Sequence, residues 1–191
     1  MQVAWVEIAD RPRLPRPPGK AFAVDVTSYD AVRDAVDSIV EEFHGRLDIF
    51  VANAGVAWEQ GPLLDGDLAH YRSVVSVNVD GSFFCARAAG LHFRRQRHEG
   101  TTTAGLPLDN YSSGSFIATA SMSGRAVNIP QLQAAYNASK AAVAHMCRSL
   151  AVEWAGFARA NSVSPGYIRT EISDFNSAEV RRVWADKIPM G

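Results

Sequence analysis

Two near-continuous apolar runs, LDIFVANAG (47–55) and SFIATAS (115–121), set the strongest limit on the fold. Both are short and rich in β-branched or aromatic residues, so each reads as a strand covered on both faces. Such strands belong to parallel sheets, where crossover helices join neighbours. The sequence between the runs supplies those helices. In YDAVRDAVDSIVEEFHG (29–45), Val32, Ala35, Val36, Ile39, Val40 and Phe43 recur at helical spacing, with charges opposite. Thr27 or Ser28 can cap this helix, and Gly45 can end it. Longer helices are predicted over 67–97 and 134–156, and further strands at QVAWVEI (2–8), KAFAVDV (20–26) and NSVSPG (161–166). The alternation predicts one α/β domain over residues 1–191, a Rossmann-like doubly wound parallel sheet. Reactive groups in such sheets gather outside the carboxyl ends of the strands.

Two segments break the rhythm. RPRLPRPPGK (11–20) stands where a crossover helix should be, and its prolines forbid one. HEGTTTAGLPLDNYSSG (98–114) is polar and long, which predicts a surface loop. A formal net charge of -1 gives no electrostatic footprint for nucleic acid or membrane. No apolar run has the length of a membrane span, and MQVAWVEIAD lacks the basic start and long apolar stretch of a signal peptide. Cys85 and Cys147 have no CxxC partner, so both are expected to be buried, inert thiols in a reducing, cytoplasmic protein. The histidines show no HExxH spacing, and no metal site is expected.

The chemistry concentrates in SMSGRAVNIPQLQAAYNASK (121–140). Tyr136 and Lys140 stand one helical turn apart and share a face. A phenol is a poor base at its free pKa of about 10, and a nearby ammonium favours the phenolate. Such a tyrosine can exchange a proton with a carbonyl or alcohol oxygen. Asn53 and Gly55 end a buried strand, Asn78 and Gly81 interrupt a good helix, and SPGYIRTE (164–171) closes another strand with a turn.

These four motifs, in this order and spacing, resemble the short-chain dehydrogenase/reductase family along essentially the whole chain. The resemblance implies Tyr136 as catalytic acid/base, Lys140 lowering its pKa and binding the nicotinamide ribose, and Asn78 holding a relay water. It implies that Asn53, Gly55, Tyr136 and Lys140 line an NADP cofactor, with Asp25 near the adenine. Ile168 and Thr170 would then meet the nicotinamide carboxamide and the phosphates. Plainer roles stay open: Asp25 as a turn residue, Thr170 as a helix cap, Asn78 as a solvated helix polar. Counting back from Tyr136 at the family's usual spacing reaches Ser123, whereas counting forward from the strand end reaches Ser121. Ser121 is preferred as the catalytic serine because a strand end fixes position better than a loop.

TASMSG, PQLQAAYNASKAAV, CRSLAVEWAGFARANSVSPGYI and DKIPMG are similar to the fungal sorbose reductase and NADP-dependent mannitol dehydrogenase group. That resemblance implies NADPH-dependent reduction of a ketone to a secondary alcohol, in a ketose/polyol pair such as sorbose or fructose/mannitol. Arg11 or Arg13 would meet the 2′-phosphate, and Asn128, Gln131 and Gln133 suit a polyhydroxylated substrate. A homodimer or homotetramer is expected, packed through the helix of Asn78 and that of 134–156, where Ala138, Ala141, Ala142 and Ser149 are small. The chain departs from the family at its ends. The first strand, Gly-rich turn and first helix are absent, as are the last helix and strand, so a chain truncated at both ends is expected. An active ketose reductase, a reductase of secondary-metabolite ketones, and a catalytically silent remnant all stay open. An epimerase or dehydratase using the same Tyr and Lys is disfavoured by the short loops. The 191 residues alone are expected to fold loosely and bind NADPH poorly.

Overall fold

The runs centred on Phe50, Phe116 and Ala160 form a three-stranded parallel sheet in the computed structural model, which describes residues 20–168, 170, 173 and 175–188. The strands are β1 (Ile49–Ala52), β2 (Gly114–Thr119) and β3 (Ala158–Val163), in the order β1-β2-β3. Phe50 sits beside Phe116, and Phe116 beside Ala160. The helices are α1 (Tyr29–Glu42), α2 (Leu68–Val75), α3 (Gly81–Glu99), α4 (Ala134–Glu153) and α5 (Ala178–Asp186). The α/β class and the parallel sheet agree with the sequence.

One sheet face carries the core. Phe50, Ala52, Phe116, Ala118, Ala158 and Ala160 pack with Val32, Val36 and Val40 of α1, Ala89 and Phe93 of α3, and Val143 and Cys147 of α4. The other face is only partly covered by described residues, with Ile49 42% and Val51 44% exposed. The expectation that both faces of β1 are buried is therefore corrected for the described residues. An apolar run reports what a strand needs covered, and the described helices lie against one side.

Ser28 caps α1 by accepting from the Ala31 N–H, and Gly45, at φ +75°, lies in the left-handed turn beyond its end. The helix expected over 67–97 is three pieces: α2, a π-helical turn Ser76–Asp80, then α3. Gly81 follows that turn because a side chain there would meet Val26 at about 3 Å. Residues 20–26 form no ladder among the described residues, which corrects the predicted strand. Val24 and Val26 still bury in the core, so the alternation read as a strand reports packing. The third strand starts earlier than expected and ends at Val163, because Pro165 has no N–H for a ladder. Residues 98–114 are loop except for their ends, with one antiparallel bridge between Thr101 and Pro107. α5 was not expected; Ser177 caps it by accepting from the Val180 N–H.

The strand expected over 2–8, the Pro-rich segment through residue 19, and Arg11 and Arg13 lie outside the described residues, as does any pairing of 2–8 with β1. Cys85 and Cys147 are free and buried, and burial pushes the Cys85 thiol up to about 12. No described helix is long and apolar enough to cross a membrane. Among the described residues no group of His, Cys, Asp or Glu is placed to hold a metal ion.

Candidate active site

The carboxyl ends of β1 and β2 open toward α4, and Tyr136 and Lys140 come from the first turns of that helix. Lys140 is 3% exposed, and its Nζ donates to the Thr119 carbonyl at 2.8 Å. Burial pushes its pKa down to about 8. The ammonium lies 5.7 Å from the centre of the Tyr136 ring.

Tyr136 itself is pushed up from the usual phenol range by burial, while a hydrogen bond with the Ser121 side chain pulls it down. The net direction is opposite to the lowering that the Tyr–Lys spacing suggests. The reason is geometric: Lys140 bonds a strand carbonyl, and desolvation outweighs the hydrogen bond at the phenol.

Asn78, in the π-helical turn, is fully buried. Its Oδ1 accepts from the Val56 N–H at 2.8 Å, and its amide donates to the Val56 carbonyl and to Ser139 Oγ, each at 3.0 Å. Ser139 Oγ donates in turn to the Tyr136 carbonyl at 2.7 Å. The amide thus ties the loop after β1 to the helix that carries Tyr136. The plainer expectation of a solvated polar residue at position 78 is corrected. Gly55 lies against this group: a Cβ there would stand 3.2 Å from Lys140 Nζ and 3.3 Å from Asn78 Oδ1. Its missing side chain leaves that surface open at the strand end. Asn53 is exposed beside it and accepts from Thr119 Oγ1 at 2.8 Å.

Ser121 and Ser123 line one cleft with Tyr136, Asn128, Gln131, Gln133 and Ile168. Ser121 Oγ accepts from the Ser123 N–H at 3.1 Å and is the serine hydrogen-bonded with Tyr136. Ser123 Oγ instead accepts from Gln133 Nε2 at 3.3 Å. Asp25 is exposed and accepts from the Thr27 N–H and hydroxyl, which holds its carboxyl below the usual range. That is turn chemistry. Thr170 is exposed and bonds Ser173, away from any contact with Tyr136 among the bonds described. Ser139, Tyr167 and Trp184 were not singled out by sequence. Ser139 carried a signal, since it stands three residues after Tyr136 and so on the same side of the helix. Tyr167 and Trp184 looked like ordinary apolar residues of a turn and a helix.

The family model described as enoyl-(acyl carrier protein) reductase matches residues 11–191. The chain belongs to the short-chain dehydrogenase/reductase family. Among the family's members it is similar to L-xylulose reductase of Hypocrea jecorina, 62% identical over 172 residues, 90% of this chain and 60% of that protein. A probable NADP-dependent mannitol dehydrogenase of Yarrowia lipolytica is 47% identical over 173 residues, covering 90% of this chain and 56% of that protein. Among solved short-chain dehydrogenase/reductases, the NADPH-dependent 3-quinuclidinone reductase of Rhodotorula rubra is similar, with a TM-score of 0.76 and 38% identity. That match covers 89% of this chain and 57% of that one. The chain thus spans under two thirds of the length of each of these relatives, and its Rossmann-type fold agrees with theirs.

Proposed function

We propose that this chain carries the proton-transfer and substrate-binding part of an NADPH-dependent oxidoreductase that reduces a ketone to a secondary alcohol within a ketose/polyol pair. Sorbose, or fructose and mannitol, are the pairs first expected, and the similarity to a xylulose reductase fits the same class. The observation that carries the reading is that Ser121 and Tyr136 share one cleft, Lys140 lies beside the Tyr136 ring on the Thr119 carbonyl of β2, and Asn78 and Ser139 bond behind Tyr136.

The described residues fit the nicotinamide end of a dinucleotide at one point: Gly55 keeps a Cβ off the surface over Lys140 and Asn78. Asn53, Gly55, Tyr136 and Lys140 would hold the cofactor there, with Ile168 and Thr170 on the turn after β3 and Asp25 toward the adenine. NADPH, when bound, supplies the hydride. In the direction of reduction the phenol donates its proton to the carbonyl oxygen as that oxygen gains charge. A phenol held above its usual pKa is present as the acid at neutral pH, which suits this direction. Ser121 donates a hydrogen bond to the same oxygen, and Lys140 holds positive charge beside the phenolate left behind. Asn78 fixes the loop after β1, and the family resemblance makes it the residue that would hold a relay water.

In the native protein, Tyr136→Phe should lose at least about 100-fold in ketose turnover, the usual worth of a positioned acid. Ser121→Ala should lose a comparable factor, and Ser123→Ala should stay within a few-fold of wild type. A Tyr136→Phe enzyme near the wild-type rate would sink the mechanism, and a dead Ser123→Ala beside an active Ser121→Ala would reverse the choice of serine.

A second reading is reduction of a cyclic ketone without hydroxyls. Tyr167 stacks on the buried Trp184 and leaves a half-buried ring at the cleft, and the quinuclidinone reductase is a similar fold.

The protein is also proposed to self-associate as a homodimer or homotetramer. Ala138, Ala142 and Ser149 are exposed along α4, and Phe83 and Leu91 are exposed along α3. Light scattering should give twice or four times the monomer mass, and monomer alone would remove the idea.

A further inference from the structure

Two buried polar atoms beside the cleft have no hydrogen-bond partner in the protein. Asn128 is 3% exposed; its amide donates to Tyr167 Oη at 3.0 Å, while its Oδ1 is unpaired. Trp184 is 6% exposed, and its indole N–H is also unpaired. Both residues line the cleft that holds Ser121 and Tyr136. Tyr167 links them, bonding Asn128 through its hydroxyl and stacking on the indole with ring centres 4.3 Å apart and 9° between planes.

Buried polar side chains are nearly always paired within a fold, so two unpaired atoms on residues that line one cleft point to something outside the chain. One is an acceptor and the other a donor. A hydroxyl is the neutral group that satisfies both kinds, because it donates one hydrogen and accepts through its oxygen. Turning the Asn128 carboxamide over lets Tyr167 donate to its oxygen and leaves the amide hydrogens open, and a hydroxyl oxygen accepts those equally well. A carboxylate would satisfy the indole and repel Oδ1, and an apolar ring would satisfy neither.

We propose that Asn128 and Trp184 form a hydroxyl-reading pair that selects polyhydroxylated carbonyl substrates over ketones without hydroxyls. This rests on the oxidoreductase reading above and names the residues that sort its substrates. Discrimination comes from pairing: the fold already shuts both atoms off from water, so a substrate hydroxyl that pairs them relieves a cost that a ketone without hydroxyls leaves in place.

Trp184→Phe keeps a ring against Tyr167 and removes the N–H; Asn128→Leu keeps the bulk and removes the carboxamide. With NADPH and the native protein, each variant should lose about 10- to 100-fold in kcat/KM for L-xylulose or D-fructose. The ratio of kcat/KM for the ketose to that for cyclohexanone should therefore fall about 10-fold or more in each variant, and a urea midpoint close to that of wild type reports that the variant is folded. Equal losses on both substrates, or an unchanged ketose rate, overturn the pair. If wild type turns over neither ketone, the oxidoreductase reading fails and binding decides the pair separately. The indole N–H resonance missing from Trp184→Phe should then shift in the wild-type spectrum with xylitol and stay put with cyclohexanol. A resonance that ignores xylitol, or responds to both alcohols alike, overturns the pair.

Discussion

Polar side chains meet the cleft in two groups that are built differently. Behind Tyr136 three side chains bond neighbouring groups: Asn78 on Val56 and Ser139, Ser139 on the Tyr136 carbonyl, Lys140 on Thr119. Around Tyr167 polar atoms are left open, with Asn128 Oδ1 and the Trp184 N–H unpaired although both residues are buried. The closed group fixes the distance between α4 and the loop after β1, which proton transfer needs within a few tenths of an ångström. The open group carries a desolvation cost that a matching substrate would remove. Closed networks set geometry; open ones set selectivity.

The sharpest way to break the comparison is to open the closed group. Asn78→Ala removes the partners of the Val56 N–H and carbonyl and of Ser139 at once. Two part-buried backbone groups and the buried Ser139 hydroxyl lose a partner, which should cost roughly 2 kcal/mol together, and a measurable shift in the urea midpoint follows. Asn128→Leu, by contrast, replaces an incompletely paired amide by an apolar group of similar size, so it should cost under about 1 kcal/mol. Urea midpoints for the two variants that coincided would show that the groups are not different in kind.

The same distinction decides what could be read from the sequence. Tyr136, Lys140, Asn78 and Gly55 were legible because fixed spacing along one helix, or a rule broken at a strand end or inside a helix, marks them. α1 was legible with its cap, since Val32, Val36, Ile39 and Val40 report one buried face. Residues 20–26 misled because period-two alternation fits a buried extended segment as well as a strand, and only a neighbour provides the ladder. The raised pKa of Tyr136 was hidden because spacing gives proximity to Lys140 but not the burial that opposes it. Asn128 and Trp184 were illegible as a pair for a simpler reason. They lie far apart in the chain and meet only through Tyr167, and an unpaired atom is a property of the packed site alone.

Lys140 gives the finest test of how closed the first group is. Its pKa falls from the ordinary 10.5 to about 8 on burial, so the unfolded chain binds more protons than the folded one between those values. Stability must then rise with pH across that window, because the folded state is relieved of a buried charge that the unfolded state still keeps in water. The single hydrogen bond to Thr119 offsets only part of the burial, which is why the shift is downward. Between pH 8 and pH 9 the rise should be about 1 kcal/mol, and little of it should come below pH 7. Other groups titrate in the same range, so the comparison is with Lys140→Met, which lacks the term. Urea unfolding of both proteins at pH 7, 8 and 9 should show wild type gaining about 1 kcal/mol on the variant over the last step. Parallel curves would mean that the ammonium is no more penalised in the fold than in water, and that the group behind Tyr136 is more open than its hydrogen bonds suggest.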